Sequence, residues 1–175
     1  MCAQEAHTQL GLDVVVFVPV GIAPHRVIQG EPGAEARFTM CEYATSHDER
    51  LSVSRIELDR PGPSYTVDTL RELHERAPED ELFLILGGDQ ASRLRSWHAA
   101  DEVLGLATIA VAEREGHTPE EIAEAVGTDN LVFFDMPRID ISSTMVRARA
   151  AARQPIRYLV PDTVREYIAA HALYR

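Results

Sequence analysis

Glu81-Leu-Phe-Leu-Ile-Leu-Gly-Gly-Asp89 is a continuous apolar run that stops at two glycines and a carboxylate. A run without polar alternation is how a strand buried on both faces reads, and the glycines end it in a loop able to hold a polar ligand. Two further runs repeat the pattern. Asp13-Val-Val-Val-Phe-Val18 reads as a central parallel strand, and Ala107-Thr-Ile-Ala-Val111 runs into the charged stretch Glu113-Arg114-Glu115. Helical patterns fall at 34–44, 67–75, about 99–104 and 119–126, the last behind a Thr118 cap. The tail shows the capping signature twice: Ser142 or Ser143 opens a helix to about 152, and Pro161-Asp162 opens another to about 170. Strands alternating with helices predict an α/β fold, with crossover helices on a mostly parallel sheet and ligands beyond the carboxyl ends of its strands. The chain opens on a helical pattern at 3–9 with no strand before it. That start is odd, because a βαβ unit begins with a strand whose following loop faces the ligand crevice.

The 175 residues, 45% hydrophobic and 26% charged, suit one domain spanning 1–175 with a continuous core. No internal repeat, low-complexity tract or long Pro/Gly/Ser linker divides it. Seventeen basic against 28 acidic residues give a net charge of −11, so the average surface repels nucleic acid and acidic membranes. An anionic substrate therefore needs a local basic pocket. Cys2 and Cys41 offer neither a disulfide framework nor metal-ligand spacing, which favours a reducing, cytoplasmic setting. The longest apolar run, Val14 to Val18, is closed by Pro19, far short of the roughly 20 residues of a membrane helix. The first ten residues lack the basic start and apolar centre of a secretory signal.

The polar residues around these elements suggest phosphate and ribose chemistry. Pro19-Val-Gly-Ile-Ala-Pro-His25-Arg26 places an imidazole and a guanidinium just past a strand, a geometry suited to phosphate; a proline-ordered surface loop is the alternative. Ser64-Tyr65-Thr66-Val-Asp68 sets hydroxyls and a carboxylate at a helix start, where backbone N–H groups hold anions, although Ser64 or Thr66 could simply cap the helix. Gly87 and Gly88 permit close approach by a ribose near Asp89; a glycine turn with Asp89 as N-cap is the alternative. Trp97, the single tryptophan, could stack on a planar ring or be half-buried core, and His98 beside it reads as structural. The strongest signal is Ile141-Ser142-Ser143-Thr144-Met-Val-Arg147. Three hydroxyls at a helix start, with a guanidinium about one turn on, can converge on a triphosphate. Gly-rich Walker loops, Cys/His metal clusters and G-x-S-x-G elbows are all absent from the sequence.

Taken in order, PVGIAPHR, SYTVDTL, LILGGDQ with Trp97 downstream, ISSTMVR and YLVPDTVREYI resemble the bacterial nicotinate mononucleotide adenylyltransferases over essentially the whole chain. The ending Ala172-Leu-Tyr-Arg175 resembles the actinobacterial branch. The resemblance implies a Rossmann-like nucleotidylyltransferase fold and a reaction of nicotinate mononucleotide with ATP and Mg²⁺ that gives deamido-NAD and pyrophosphate. Such chemistry depends on aligning two anions and stabilising charge. By the same resemblance His25 and Arg26 lie at the nucleotide phosphates, with Arg26 where the family commonly has Lys. Ser64, Tyr65 and Thr66 match the loop that recognises the nicotinate ring and carboxylate, Trp97 the aromatic that stacks on the pyridine, and Asp68 a support for that loop. Gly87 and Asp89 match the adenosine-ribose contact, and Ser142, Ser143, Thr144 and Arg147 the ATP-phosphate signature. Arg114 reaches toward the mononucleotide phosphate.

The family's opening motif, a strand followed by G-G-x-F-D-P-x-H-x-G-H, does not occur in these residues, so the fold is expected without its first strand. Unpaired strand edges, exposed apolar surface and poor solubility are expected with it. Those histidines stabilise the reacting phosphate in the family, and a start codon placed too far downstream is the simplest expectation. A non-catalytic nucleotide-binding remnant and an adenylyltransferase with another phosphate acceptor are the competing readings. The SYTVDTL and Trp97 pair favours a pyridine ring over other acceptors. The 175-residue chain is expected to form deamido-NAD several orders of magnitude more slowly than one extended to carry the strand and histidines. Chromatography of the products compares the two, and equal rates would refute the role given to that motif.

Overall fold

The computed structural model describes residues 1–24, 31–113, 116 and 118–175. In chain order they form α1 (Cys2–Leu10), β1 (Val15–Phe17), α2 (Gly33–Thr45), β2 (Leu51–Val53), the short α3 (Ile56–Asp59), α4 (Thr66–Arg76), β3 (Phe83–Gly87) and the short α5 (Gly88–Ala91). A 3-10 turn at Leu94–Ser96 leads into α6 (Ala100–Leu106), β4 (Thr108–Ala112), α7 (Pro119–Val126), β5 (Leu131–Phe134), α8 (Ser143–Ala151) and α9 (Asp162–Ala170). β1 pairs with β2, and β3, β4 and β5 form a second sheet in that order, every pairing being parallel. The chain divides into two compact units, Met1–Asp13 with Ser64–Arg138 and Val14–Pro63 with Ile139–Arg175.

The first unit is built on β4, which is hydrogen-bonded on both sides, with Ile109 opposite Leu131 and Ala112 opposite Gly87. Its alternate side chains point to opposite faces, as the period of a strand requires. Ile109 and Val111 join Val67 and Leu70 of α4, Val103 and Leu104 of α6, and Ile122 and Val126 of α7 in one core. Ala110 and Ala112 face the other way and pack with Ala6 of α1 and Phe134. Small residues there let helix and sheet backbones approach closely, and Ala6 retains no exposure. Helix α7 is stopped at both ends by its own sequence. Thr118 Oγ1 accepts from Glu121 N at 3.2 Å while Glu121 Oε2 accepts from Thr118 N at 2.9 Å, and Gly127 takes the left-handed C-cap at φ 64°.

In the second unit β1 departs from its sequence reading. It is three residues long, has β2 as its partner and buries only Val15, while Val14 and Val16 are 45% and 40% exposed. A continuous apolar run shows that a segment is apolar; burial on both faces also needs a layer on each side, and the exposure of Val14 and Val16 shows that β1 is not covered in this way by the described residues. The core of this unit lies around Val146, Ala150, Val164 and Ile168 of α8 and α9 with Ile156, against which Met40 of α2 and Tyr174 pack. Arg55 grips Glu35 through both guanidinium nitrogens at 2.9 and 2.7 Å and lies 4.8 Å from the Phe38 ring centre, tying α2 to the chain after β2.

Ile109→Ala is expected to remove about 2–5 kcal/mol of unfolding free energy in urea titration, because the central strand has no room to relax around the cavity. Val16→Thr, on the exposed side of β1, should shift it by no more than about 0.5 kcal/mol.

Candidate functional site

At the end of β3 the chain turns through Gly87, the N-cap of α5 at φ −82°, ψ 157°. A Cβ at Gly87 would meet no heavy atom within 4 Å, so the backbone there faces open space. Asp89 is exposed in the first turn of α5 rather than at the N-cap, so it does not serve as the capping residue.

Two further segments of the same unit meet through the rings of Tyr65 and His98. Tyr65 is the N-cap of α4, with Ser64 buried before it and Thr66 as the first helical residue; no side chain caps the helix. Neither Ser64 nor Thr66 is therefore the N-cap residue of α4. Trp97 closes the 3-10 turn, its N–H donating to Leu94 O at 2.9 Å, and lies half-buried against the core that holds β4. His98 is exposed, with its ring centre 4.4 Å from that of Tyr65 and the planes tilted by 40°.

Close enough to His98 to feel its charge lies a charged clamp. Arg71 Nη1 donates to Asp68 Oδ1 at 2.7 Å, while Nε and Nη2 donate to the two oxygens of Glu102, each at 2.5 Å. The Arg71 hydrogen bond holds the Glu102 carboxyl below the usual carboxylate range, and the nearby His98 acts in the same direction. Two residues before Trp97, Arg95 donates to Val126 O at 2.5 Å and Gly127 O at 2.9 Å, the carbonyls ending α7, and to Asp101 at 2.5 Å.

In the second unit the start of α8 agrees closely with its sequence reading. Ser142 is the N-cap and its Oγ accepts from Met145 N at 3.1 Å. Ser143 and Thr144 follow in the first turn, exposed, and half-buried Arg147 turns back so that Nη2 donates to Thr144 Oγ1 at 3.3 Å. Hydroxyls, backbone N–H groups and a guanidinium thus share one helix end, the arrangement that holds phosphate. Burial raises the Tyr174 phenol, and the Arg147 charge opposes that shift. His25, Arg26 and Arg114 lie outside the described residues.

Among the described residues no three His, Cys, Asp or Glu side chains are grouped to hold a metal ion, and no helix is long and apolar enough to cross a membrane. Sequence reasoning passed over Arg71, Arg95 and Glu102 and read His98 as structural. The spacing of Asp68 and Arg71, one helical turn apart, carried a signal for their pairing. Nothing local signalled Glu102, 31 positions from Arg71.

Parallel sheets with helix starts at their strand ends and polar residues at those starts define an α/β protein of the kind that binds ligands beyond its strand ends. The cytidylyltransferase-like family model matches residues 1–149. The chain is 42% identical to a probable nicotinate-nucleotide adenylyltransferase of Corynebacterium kroppenstedtii, over 99% of this chain and 82% of that one. It is also 42% identical to the Tropheryma whipplei protein of the same name, covering 99% and 90%. In fold it is similar to the Plasmodium falciparum nicotinic acid mononucleotide adenylyltransferase complexed with APC, with TM-score 0.78, 16% identity and coverage of 99% and 88%. The same enzyme complexed with NaAD gives a TM-score of 0.74 at 17% identity, covering 93% and 83%. The chain is a cytidylyltransferase-like nucleotidyltransferase and belongs to the nicotinate-nucleotide adenylyltransferases.

Glu102→Gln tests the clamp. A carboxyl depressed in the folded state contributes stability above its unfolded pKa and loses it as pH falls through the folded value. The variant should unfold at lower urea than wild type at neutral pH, and the difference should shrink as acid protonates the wild-type carboxyl; a pH-independent difference would exclude the ion pair as its cause.

Proposed function

We propose that residues 1–175 act as one nucleotidyltransferase-like domain in the cytoplasm, transferring the adenylyl group of ATP to nicotinate mononucleotide. A phosphate oxygen of the mononucleotide bonds to the α-phosphorus of ATP, the bond from that phosphorus to the bridging oxygen breaks, and pyrophosphate leaves with its electron pair. The product is deamido-NAD. The relatives' names favour this reading over a binding remnant, and the observation that carries the ATP assignment is the start of α8. There the Ser142 cap, the hydroxyls of Ser143 and Thr144 and the Arg147 guanidinium, which donates to Thr144 Oγ1, lie within the first two turns of one helix. Their role is to hold the triphosphate and spread its charge, so that a second anion can approach.

In this proposal His25 and Arg26 contact the nucleotide phosphates, Gly87 and Asp89 the adenosine ribose, and Arg114 the mononucleotide phosphate. Ser64, Tyr65 and Thr66 recognise the nicotinate ring and carboxylate, Trp97 stacks on the pyridine, and Asp68 supports them through Arg71. The described residues offer no cage for Mg²⁺. That ion binds phosphates with few protein ligands and retains water, so it enters with ATP as part of the substrate.

Arg147→Ala is expected to weaken ATP binding about 10- to 100-fold in calorimetry, the loss of a charge-assisted contact. Nicotinate mononucleotide affinity should remain within about twofold. Equal loss for both ligands, or none for ATP, would overturn the assignment of α8.

A further inference from the structure

The turn carrying Trp97 is held from both sides by its neighbours in sequence. Two residues before it, Arg95 anchors the turn to the end of α7 and to Asp101 of α6. One residue after it, the His98 ring lies against Tyr65, which belongs to the segment ahead of α4. The next residue, Ala99, adopts the left-handed region at φ 51°, ψ 45° and begins α6. A side-chain-bearing residue keeps that conformation only where its surroundings over-determine it. Here the core packing of Trp97 and Ala99 and the Tyr65–His98 contact supply that determination. The Arg71 clamp joins α4 to Glu102 in the first turn of α6. Arg71 and Glu102 are each 43% exposed, so a single ion pair here would contribute little. A two-point grip on Glu102 with a further bond to Asp68 fixes direction as well as distance.

We propose that His98 is a positioning residue for the pyridine site: its ring, held on Tyr65, sets the spacing between residues 64–66 and Trp97 before the mononucleotide arrives. The inference rests on the assignment of that substrate to Trp97 and residues 64–66. A ring site set in advance loses less freedom on binding than two independently moving segments. The ring, not a proton or hydrogen bond of the imidazole, does this, so an aromatic replacement should serve.

Trp97 is the single tryptophan, so its fluorescence reports the turn directly. The experiment titrates nicotinate mononucleotide into wild type, His98→Ala and His98→Phe, following emission for the dissociation constant and measuring Trp97 anisotropy without ligand. His98→Ala should raise the mononucleotide dissociation constant about fivefold or more and lower the ligand-free anisotropy. His98→Phe should return both to near wild type, and ATP affinity by calorimetry should be the same in all three. His98 is exposed, so the variants should keep the fold, with circular dichroism as the check. Arg71→Ala is a second route: it should raise the same constant, and its effect should be non-additive with that of His98→Ala. Unchanged binding and anisotropy in His98→Ala, or an equal defect in His98→Phe, would overturn the proposal. If wild type shows no mononucleotide response, the substrate assignment fails, while the anisotropy comparison still decides whether His98 orders the turn.

Discussion

Parallel strand pairing is the constraint from which the rest of each unit follows. Strands running the same way cannot be joined by tight hairpins, so each must be followed by a crossover, and here the crossovers are helices. Polar groups consequently collect where strands end and helices begin. In the first unit this places Gly87 and α5 at the end of β3, and β4, buried from Ile109 to Ala112, holds α4, α6 and α7 in one core beside them. Tyr65 and Trp97 both pack against that core, so the same apolar burial that stabilises the unit also fixes its candidate ring-binding residues. Stability and site geometry share their contacts, which is why neither segment needs a long ordered loop.

How legible this was depended on whether a signal was local. The Thr118 cap of α7 is legible from its local residues, and Ser142 is one of the two residues that could open α8; the structure adds Glu121 to the first as a capping box and selects Ser142 in the second. The burial of β4 was legible because it has partners on both sides and helices on both faces. The same type of run misled at β1, where apolar character was present without the layers that would bury it. β2 and β5, three and four residues long, were missed because so few residues cannot distinguish strand from loop by periodicity. Trp97 was read as either ring-stacking or half-buried core, and the structure shows its core packing. The contacts that set its surroundings, Tyr65 with His98 and Arg71 with Glu102, join distant positions and left no trace in spacing.

Charge presents the remaining problem: a chain of net charge −11 belongs to a family whose substrates are anions. All seventeen basic side chains are arginines, and most of those described are engaged by carboxylates or carbonyls. Arg50 holds Asp48, Arg55 holds Glu35, Arg71 holds Asp68 and Glu102, and Arg165 holds Asp162 and Glu166. A guanidinium suits this work because its planar fork fixes two directions at once, which an ammonium cannot. These pairs neutralise positive charge over much of the surface and leave excess carboxylate to repel anions from it. Arg147 is arranged differently. Its described hydrogen bond goes to the hydroxyl of Thr144, a neutral group in the first turn of a helix whose N–H groups also favour negative charge. A hydroxyl orients the guanidinium without neutralising it, so the positive field at the start of α8 is retained. In the proposed role of α8, an acidic protein can thus keep a local attraction for a triphosphate, because the residue that holds Arg147 in place carries no charge.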